Sequence, residues 1–270
     1  MERISSRHNP IVKQFRAAAS GDAEGVMLLD GDHLVREALA SGISIEVAAV
    51  VEGFADRELT ARVERTAQQA IAVTGQVLAA ISPVRTPSGI VAIARRPEVP
   101  LDAAFLERPQ LVVVLHDVQD PGNVGAIVRA AEACGATGLV CNERTADPFG
   151  WKALRGGMGS TLRLPVAKGT TADVMRRARA SGVRILATIA RGGTPLRQCD
   201  FRAPVAIVLG GEGTGLPPDV VEAADTQITI PMKRPVESLN VAIAAALLVY
   251  EASRQRETAS IQESSFHVPL

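Results

Sequence analysis

The sequence predicts an α/β protein of two units, a small α/β unit over residues 1–98 and a parallel-sheet α/β unit over residues 99–270. Three observations carry this. Short runs rich in Val, Ile and Leu alternate with segments of helical periodicity along the chain. A proline-rich stretch breaks the alternation just before residue 98. Beyond it the strand-like runs are continuously apolar, as strands buried on both faces of a parallel sheet must be. A chain of 270 residues is also long enough for two cores.

In the first unit the periodicity predicts helices over 10–19, 33–40 and 61–70, and strands over 26–29, 46–51, 71–74 and 90–94. Ile81-Ser-Pro-Val-Arg-Thr-Pro-Ser-Gly and Arg95-Arg-Pro-Glu-Val-Pro100 then carry four prolines and mark the boundary. In the second unit strands are predicted over 111–115, 138–141, 162–166, 183–189, 205–209 and 226–230, with a helix over 124–134. A last helix from about residue 238 places Leu239, Ala242, Ile243, Ala246, Leu247, Val249 and Tyr250 on one face, the pattern of a core or a dimer seam.

Composition excludes several classes. No apolar run approaches the roughly 20 residues that span a bilayer, and the N-terminus has no apolar signal region, so neither membrane insertion nor secretion is expected. Cys134, Cys141 and Cys199 form no Cys-x-x-Cys pattern and are expected to be reduced thiols of a cytoplasmic protein. His8, His33, His116 and His267 lack metal-ligand spacing, so no metal site is expected. Formal net charge is zero, but residues 151–197 hold ten Lys and Arg against the single acid Asp173. That segment is either a solvated helix face or a phosphate-contacting surface.

Ligands of open parallel sheets bind at the carboxyl ends of strands, which directs attention to three loops. The first is Asp117-Val-Gln-Asp-Pro-Gly-Asn-Val-Gly-Ala-Ile-Val-Arg129, where Pro121-Gly122 makes a turn, Asn123 is placed to cap a helix, and Arg129 follows about a turn and a half deeper. The second is Leu209-Gly-Gly-Glu-Gly-Thr-Gly-Leu-Pro217. Its glycines let backbone approach a ligand, yet it lacks the Gly-Lys-Ser/Thr of a P-loop. A carboxylate in its middle, Glu212, would repel a polyphosphate and suits a cationic sulfonium or a hydroxyl. The third is Ile230-Pro-Met-Lys-Arg-Pro-Val-Glu-Ser-Leu-Asn-Val-Ala-Ile-Ala, in which Ser238 or Asn240 sits at a helix N-terminus.

In this order the three loops resemble the motifs of the SpoU/TrmH family of RNA 2′-O-ribose methyltransferases, within the SPOUT superfamily. Gly156-Gly-Met-Gly-Ser-Thr-Leu-Arg-Leu-Pro-Val166 resembles the family's segment before a middle strand, with Gly156-Gly157 where Ala-Ser is usual. Ile4-Ser-Ser-Arg-His-Asn-Pro, Leu28-Leu-Asp-Gly-Asp-His-Leu-Val-Arg-Glu-Ala and Thr86-Pro-Ser-Gly-Ile resemble the ribosomal-protein-like substrate-binding domain of many members. The resemblance implies an RNA substrate-binding domain over 1–98, a catalytic domain with a trefoil knot over 99–270, S-adenosylmethionine as cofactor, RNA as partner with ribosomal RNA favoured, and a homodimer through the C-terminal domain.

By the same resemblance Thr188, Leu209, Gly210, Gly211, Ile230, Met232 and Leu239 would form the cofactor pocket. Arg129 would stabilise the ribose alkoxide as it forms, since an ordinary guanidinium stays protonated and is a poor literal base. Asn123 and Asn240 would orient the ribose or Arg129, Glu212 would anchor them, and Ser238 would touch the substrate or cap the helix. Arg7, Arg155 and Arg163 are candidate RNA contacts. Two alternatives stay open, transfer RNA as substrate and a noncatalytic RNA-binding or ribosome-assembly protein. A nicotinamide-dependent oxidoreductase is disfavoured, since no early strand is followed by Gly-x-Gly-x-x-Gly with an acid about 20 residues on.

Overall fold

The computed structural model describes residues 1–265, with side chains through Thr258. His267 lies outside the described residues. Residues cluster by contact into two compact units, Met1–Glu98 with Phe149–Arg163, and Val99–Pro148 with Leu164–Leu270.

The first unit runs β1 (Glu2–Ile4), α1 (Pro10–Ser20), β2 (Val26–Asp30), α2 (Asp32–Ala40), β3 (Ile45–Val51), α3 (Arg57–Thr66), β4 (Gln69–Val73), α4 (Gly75–Ile81) and β5 (Ile90–Arg95). The sheet order is β1-β4-β3-β5-β2, with β5 antiparallel to both its neighbours. Helix α1 starts where Asn9 caps Ile11 N and Pro10 fills the first turn, and it packs Ile11, Val12 and Phe15 into the core with Leu28, Ile71 and Val91.

The expected helix over 61–70 is displaced. Asp56 Oδ1 accepts from Leu59 N at 2.9 Å, so α3 begins at Arg57, and the pairing of Gln69 with Val47 draws 69–70 into the sheet. Strand β1 and helix α4 escape the pattern because one spans three residues with only Ile4 buried and the other makes barely two turns.

The second unit opens with β6 (Leu111–His116), α5 (Pro121–Ala133) and β7 (Gly138–Cys141). Helix α6 (Trp151–Gly157) and the turn after it belong by contact to the first unit, where Trp151 packs against the core and Arg163 pairs with Glu37. The second unit resumes with β8 (Val166–Lys168), α7 (Thr171–Ala180), β9 (Arg184–Thr188), β10 (Thr194–Pro195), β11 (Val205–Gly210), α8 (Pro218–Glu222), β12 (Thr226–Thr229) and α9 (Val241–Ser265). The strand expected over 162–166 starts at Val166 instead. Pro165 has no N–H for the ladder and can only accept, from Leu139 N at 2.9 Å.

All pairs in this sheet are parallel, in the order β10-β12-β9-β11-β6-β7-β8. Strands β6 and β11 are buried almost throughout, which accounts for their unbroken apolar sequence. Each fully buried Leu or Ile there contributes about 2 kcal/mol. Helix α5 packs against α9, and α9 against β11.

Helix α9 corrects the expected single apolar face. Val241, Ala245, Leu248, Val249 and Ala252 are its buried stripe, whereas Ile243, Leu247 and Tyr250 are 54%, 42% and 64% exposed on the opposite side. At about 100° per residue the two stripes stand roughly half a turn apart. Of the residues expected on the apolar face, Val249 alone is fully buried.

The three thiols are unpaired and burial raises the pKa of each, that of Cys141 to about 12. A neutral buried thiol is a poor nucleophile, which leaves them as packing residues. Among the described residues no cluster of three or more His, Cys, Asp and Glu could hold a metal, and no helix is long and apolar enough to cross a membrane.

Candidate active site

The carboxyl ends of β9, β11 and β12 and the start of α9 enclose a cavity of about 530 Å³. Each strand supplies its last residues because a parallel sheet aligns its carboxyl ends on one edge. Thr188, Leu209, Gly210, Gly211, Ile230, Met232 and Leu239 all line it, together with Glu212, Ser238 and Asn240. Two threonines hold the rims, with Thr188 Oγ1 donating to the Val208 carbonyl at 3.0 Å and Thr229 Oγ1 to the Ala190 carbonyl at 2.9 Å.

The glycine loop folds back on itself. Gly211 N donates to the His116 carbonyl at 2.8 Å, and Gly215 N to the Gly211 carbonyl at 3.3 Å. A Cβ on Gly210 would lie 2.4 Å from the Gly215 carbonyl carbon, and one on Gly211 would lie 2.0 Å from the Asp117 carbonyl oxygen. Both glycines are therefore required by backbone packed on backbone.

At the cavity mouth three side chains form one directed chain. Asn123 Nδ2 donates to Glu212 Oε1, Asn240 Nδ2 donates to Asn123 Oδ1 at 3.1 Å, and Asn240 Oδ1 accepts from Ala242 N at 2.9 Å and Ile243 N at 3.2 Å. The directions are forced. A carboxylate only accepts and helix N-terminal amides only donate, so each amide side chain between them has one possible orientation. Asn240 is thus both the cap of α9 and a member of the site, using different atoms for each.

Asn123 does not cap α5 as the sequence suggested. Asp120 does, accepting from Asn123 N at 2.8 Å, and this frees the Asn123 side chain for Glu212. Helix α8 starts at Pro218, with Pro217 at its N-cap.

Of the five proposed catalytic residues, Arg129 and Ser238 stand outside this hydrogen-bond chain, and Arg129 stands outside the cavity wall as well. It is exposed on α5, is absent from the cavity wall, and has no hydrogen bond or ion pair with another described residue. Ser238 lies in the wall without a hydrogen-bond partner among the described residues. The sequence reading missed Ile189, Ala190, Leu216, Val241, Ala244 and Leu248 of the wall. The last three stand at helical spacing on the buried side of α9, a signal obscured by the apolar residues that fill the opposite face.

The residues present suit S-adenosylmethionine. The volume falls in the usual range of a few hundred Å³ for small-molecule sites, Leu209, Ile230, Leu239 and Leu248 offer apolar walls for a nucleobase, and Glu212 places a negative charge where a sulfonium is positive.

Of the candidate RNA contacts, Arg7 is exposed and Nε donates to the Gln76 carbonyl at 3.2 Å. Arg155 is exposed, and its positive charge partly offsets the burial that raises the Asp30 pKa. Arg163 is already paired with Glu37, so much of its charge is locally compensated. Three more residues of the basic segment are paired with acids, Lys168 with Asp147 at 3.8 Å, Arg176 with Asp173 at 2.7 Å, and Arg177 with Asp102.

Comparison with known proteins agrees with this geometry. Residues 110–250 match the SpoU rRNA methylase family, and residues 2–92 match the MRM3-like substrate binding domain. An uncharacterised tRNA/rRNA methyltransferase of Synechocystis is 34% identical, with 95% of each chain aligned. The 23S rRNA (guanosine(2553)-2′-O)-methyltransferase RlmP of Bacillus subtilis is 32% identical over 93% of this chain and 98% of its own. Among solved structures, an AdoMet-bound rRNA methyltransferase from Sinorhizobium meliloti superposes with a TM-score of 0.86 at 32% identity, covering 94% of this chain and 97% of that one.

Proposed function

Because the chain belongs to the SpoU rRNA methylase family, we propose that it transfers a methyl group from S-adenosylmethionine to a ribose 2′-hydroxyl of ribosomal RNA. One observation carries the assignment to this site, namely that the cavity at three strand ends opens onto the Asn123–Glu212–Asn240 chain. The 23S rRNA activity of the Bacillus relative and the match of residues 2–92 to a substrate-binding domain favour ribosomal over transfer RNA. On this reading residues 1–98 select the RNA, residues 99–270 carry the chemistry, and the enzyme works in the cytoplasm. The likeness of the parallel-sheet domain to solved structures of the family supports the trefoil knot expected for such a domain.

The bound cofactor supplies an electrophilic methyl on a positively charged sulfur. Displacement in line requires the ribose oxygen, methyl carbon and sulfur to be collinear, with reacting atoms about 3–3.5 Å apart, so positioning is the main task of the protein. The backbone of Leu209, Gly210, Gly211 and Ile230 would hold the cofactor, and Glu212 would face its positive charge. Asn123 and Asn240, fixed in direction by their hydrogen bonds, would orient the ribose. Arg129 would stabilise the oxygen as negative charge develops.

A homodimer explains how Arg129 reaches the site. The exposed stripe Ile243, Leu247 and Tyr250 lies on the same helix as the wall residues Val241, Ala244 and Leu248, and α5 packs beside it. A twofold contact on that stripe would set α5 of one copy near the cavity of the other, since both sides of such an interface are the same patch.

Mixed dimers test the function and the sharing together. Arg129→Ala and Glu212→Ala proteins are each expected to be nearly inactive in tritiated-methyl transfer to ribosomal RNA, and their mixture is expected to recover activity because one of the two sites in a hybrid regains both residues. No recovery after exchange of subunits would place Arg129 and Glu212 in the same copy. Absence of transfer by the wild-type protein to both ribosomal and transfer RNA, despite cofactor binding, would favour a noncatalytic RNA-binding role.

For RNA contacts, Arg155→Glu is expected to weaken RNA binding and lower the slope of log affinity against log salt by about 1, with cofactor affinity little changed. Arg163→Glu would instead set two carboxylates against each other at Glu37, so its effect would mix stability with binding. A salt slope unaltered in Arg155→Glu would make that side chain part of the solvated surface.

A further inference from the structure

Between β6 and α5 the chain passes through Asp117, which adopts a left-handed backbone conformation at φ 60°. This region is disfavoured for residues with a side chain, costing about 1 kcal/mol or more, and it persists only where neighbours hold it. Asp117 lies at a junction. Its carbonyl oxygen is the atom that a Cβ on Gly211 would strike, and the segment it starts leads through the Asp120 cap to Asn123. The loop bearing Glu212 and the helix bearing Asn123 are therefore both seated on this one peptide.

Arg144 Nε pairs with Asp117 Oδ2 at 3.3 Å, and the residue that holds both the backbone and the side chain of Asp117 is Asn142, just beyond the end of β7. Asp117 N donates to Asn142 Oδ1 at 3.0 Å, and Asn142 Nδ2 donates to Asp117 Oδ1 at 2.6 Å, so the amide grips the residue through both backbone and side chain. Thr145 Oγ1 lies 2.7 Å from Asn142 Oδ1 and 3.1 Å from the Leu115 carbonyl, and its single proton, shared between or directed to either acceptor, fixes the amide in turn. Asn142 is outside the cofactor cavity and outside all three loops singled out in the sequence. It lines a separate cavity of about 450 Å³ with His116, Thr171 and Arg144.

We propose that Asn142 is a positioning residue for methyl transfer, holding Asp117 in its left-handed conformation so that the Gly211–Glu212 loop and Asn123 meet in the geometry the cofactor and ribose require. The proposal rests on the assignment of the 530 Å³ cavity to S-adenosylmethionine. Glycine adopts the left-handed conformation without strain, so it should make the amide dispensable.

The test is a double-mutant cycle read by calorimetric titration of S-adenosylmethionine and by single-turnover transfer to RNA. Asn142→Ala in the otherwise wild-type protein is expected to weaken cofactor binding about tenfold and to slow transfer at saturating cofactor by a similar factor. In the Asp117→Gly background the same substitution is expected to change either quantity by less than about twofold. A purely structural role for Asn142 would cost the same in both backgrounds, and equal losses would overturn the proposal. So would wild-type behaviour of Asn142→Ala. Should that variant fail to fold, Asn142→Ser keeps a short acceptor and is held to the same comparison. Wild-type protein that binds no cofactor would instead remove the site assignment, and the proposal with it.

Discussion

Arg129→Ala is expected to slow single-turnover methyl transfer by at least about 100-fold, equivalent to about 2.7 kcal/mol of transition-state stabilisation. As the oxygen–carbon bond forms and the carbon–sulfur bond breaks to leave a neutral thioether, the hydroxyl proton passes to water or an RNA phosphate oxygen, and a cation at the developing alkoxide is the one strong stabiliser that the proposed site can offer. In this structure Arg129 stands exposed on α5 without a partner among the described residues, so its removal breaks no internal hydrogen bond and should leave stability nearly unchanged. Cofactor affinity should move by less than about twofold, because the cavity wall comes from other residues. Arg129→Lys is expected to rescue little, since an ammonium cannot reproduce the planar pair of donors. Rapid-quench transfer with saturating RNA isolates the step from product release. Near-normal transfer by the alanine variant would remove Arg129 from the chemistry, and full rescue by lysine would show that charge alone suffices.

The second large effect is expected at Gly211. A methyl group there would lie 2.0 Å from the Asp117 carbonyl oxygen and 2.7 Å from its carbon, with backbone on both sides unable to step aside. Gly211→Ala should therefore either destabilise the fold by at least about 3 kcal/mol or displace the loop from Asp117, and each outcome dismantles the cofactor wall. Thermal unfolding should show a midpoint lower by about 6 °C or more, and cofactor titration a loss of at least about 100-fold. Gly213→Ala is the control. Its added methyl meets nothing within 4 Å, and the strain of its φ of 94° should cost only about 1 kcal/mol. Equal behaviour of the two variants would show that glycine matters in this loop for flexibility rather than for the close crossing.

Much of the fold is legible in the sequence. Val, Ile and Leu runs located most strands of the second unit because a strand buried on both faces has no choice but to be apolar. Glycines and a carboxylate after β11, and an asparagine after β12, stood out because loops at strand ends have few packing reasons to carry such residues. Where prediction slipped, a local device outweighed periodicity. Asp56 started α3 early, Pro165 delayed β8, and Asp120 took the cap expected of Asn123.

Sequence by itself determined the α/β class, the family resemblance, and about half of the residues that line the cavity at the strand ends, those in the glycine loop and the loop before α9 above all. Tertiary structure decided how they connect. Nothing in residue spacing reveals that Asn123, Glu212 and Asn240, separated by up to 117 positions, form one directed hydrogen-bond chain, because that depends on strand order in the sheet. It also decided that Ile243, Leu247 and Tyr250 face away from the core, since an apolar helix face looks alike in sequence whether it meets its own sheet or another surface. Asn142 was invisible for the same reason. Its importance lies in the backbone conformation of a residue 25 positions earlier, and side-chain identity alone does not encode which distant peptide it will hold.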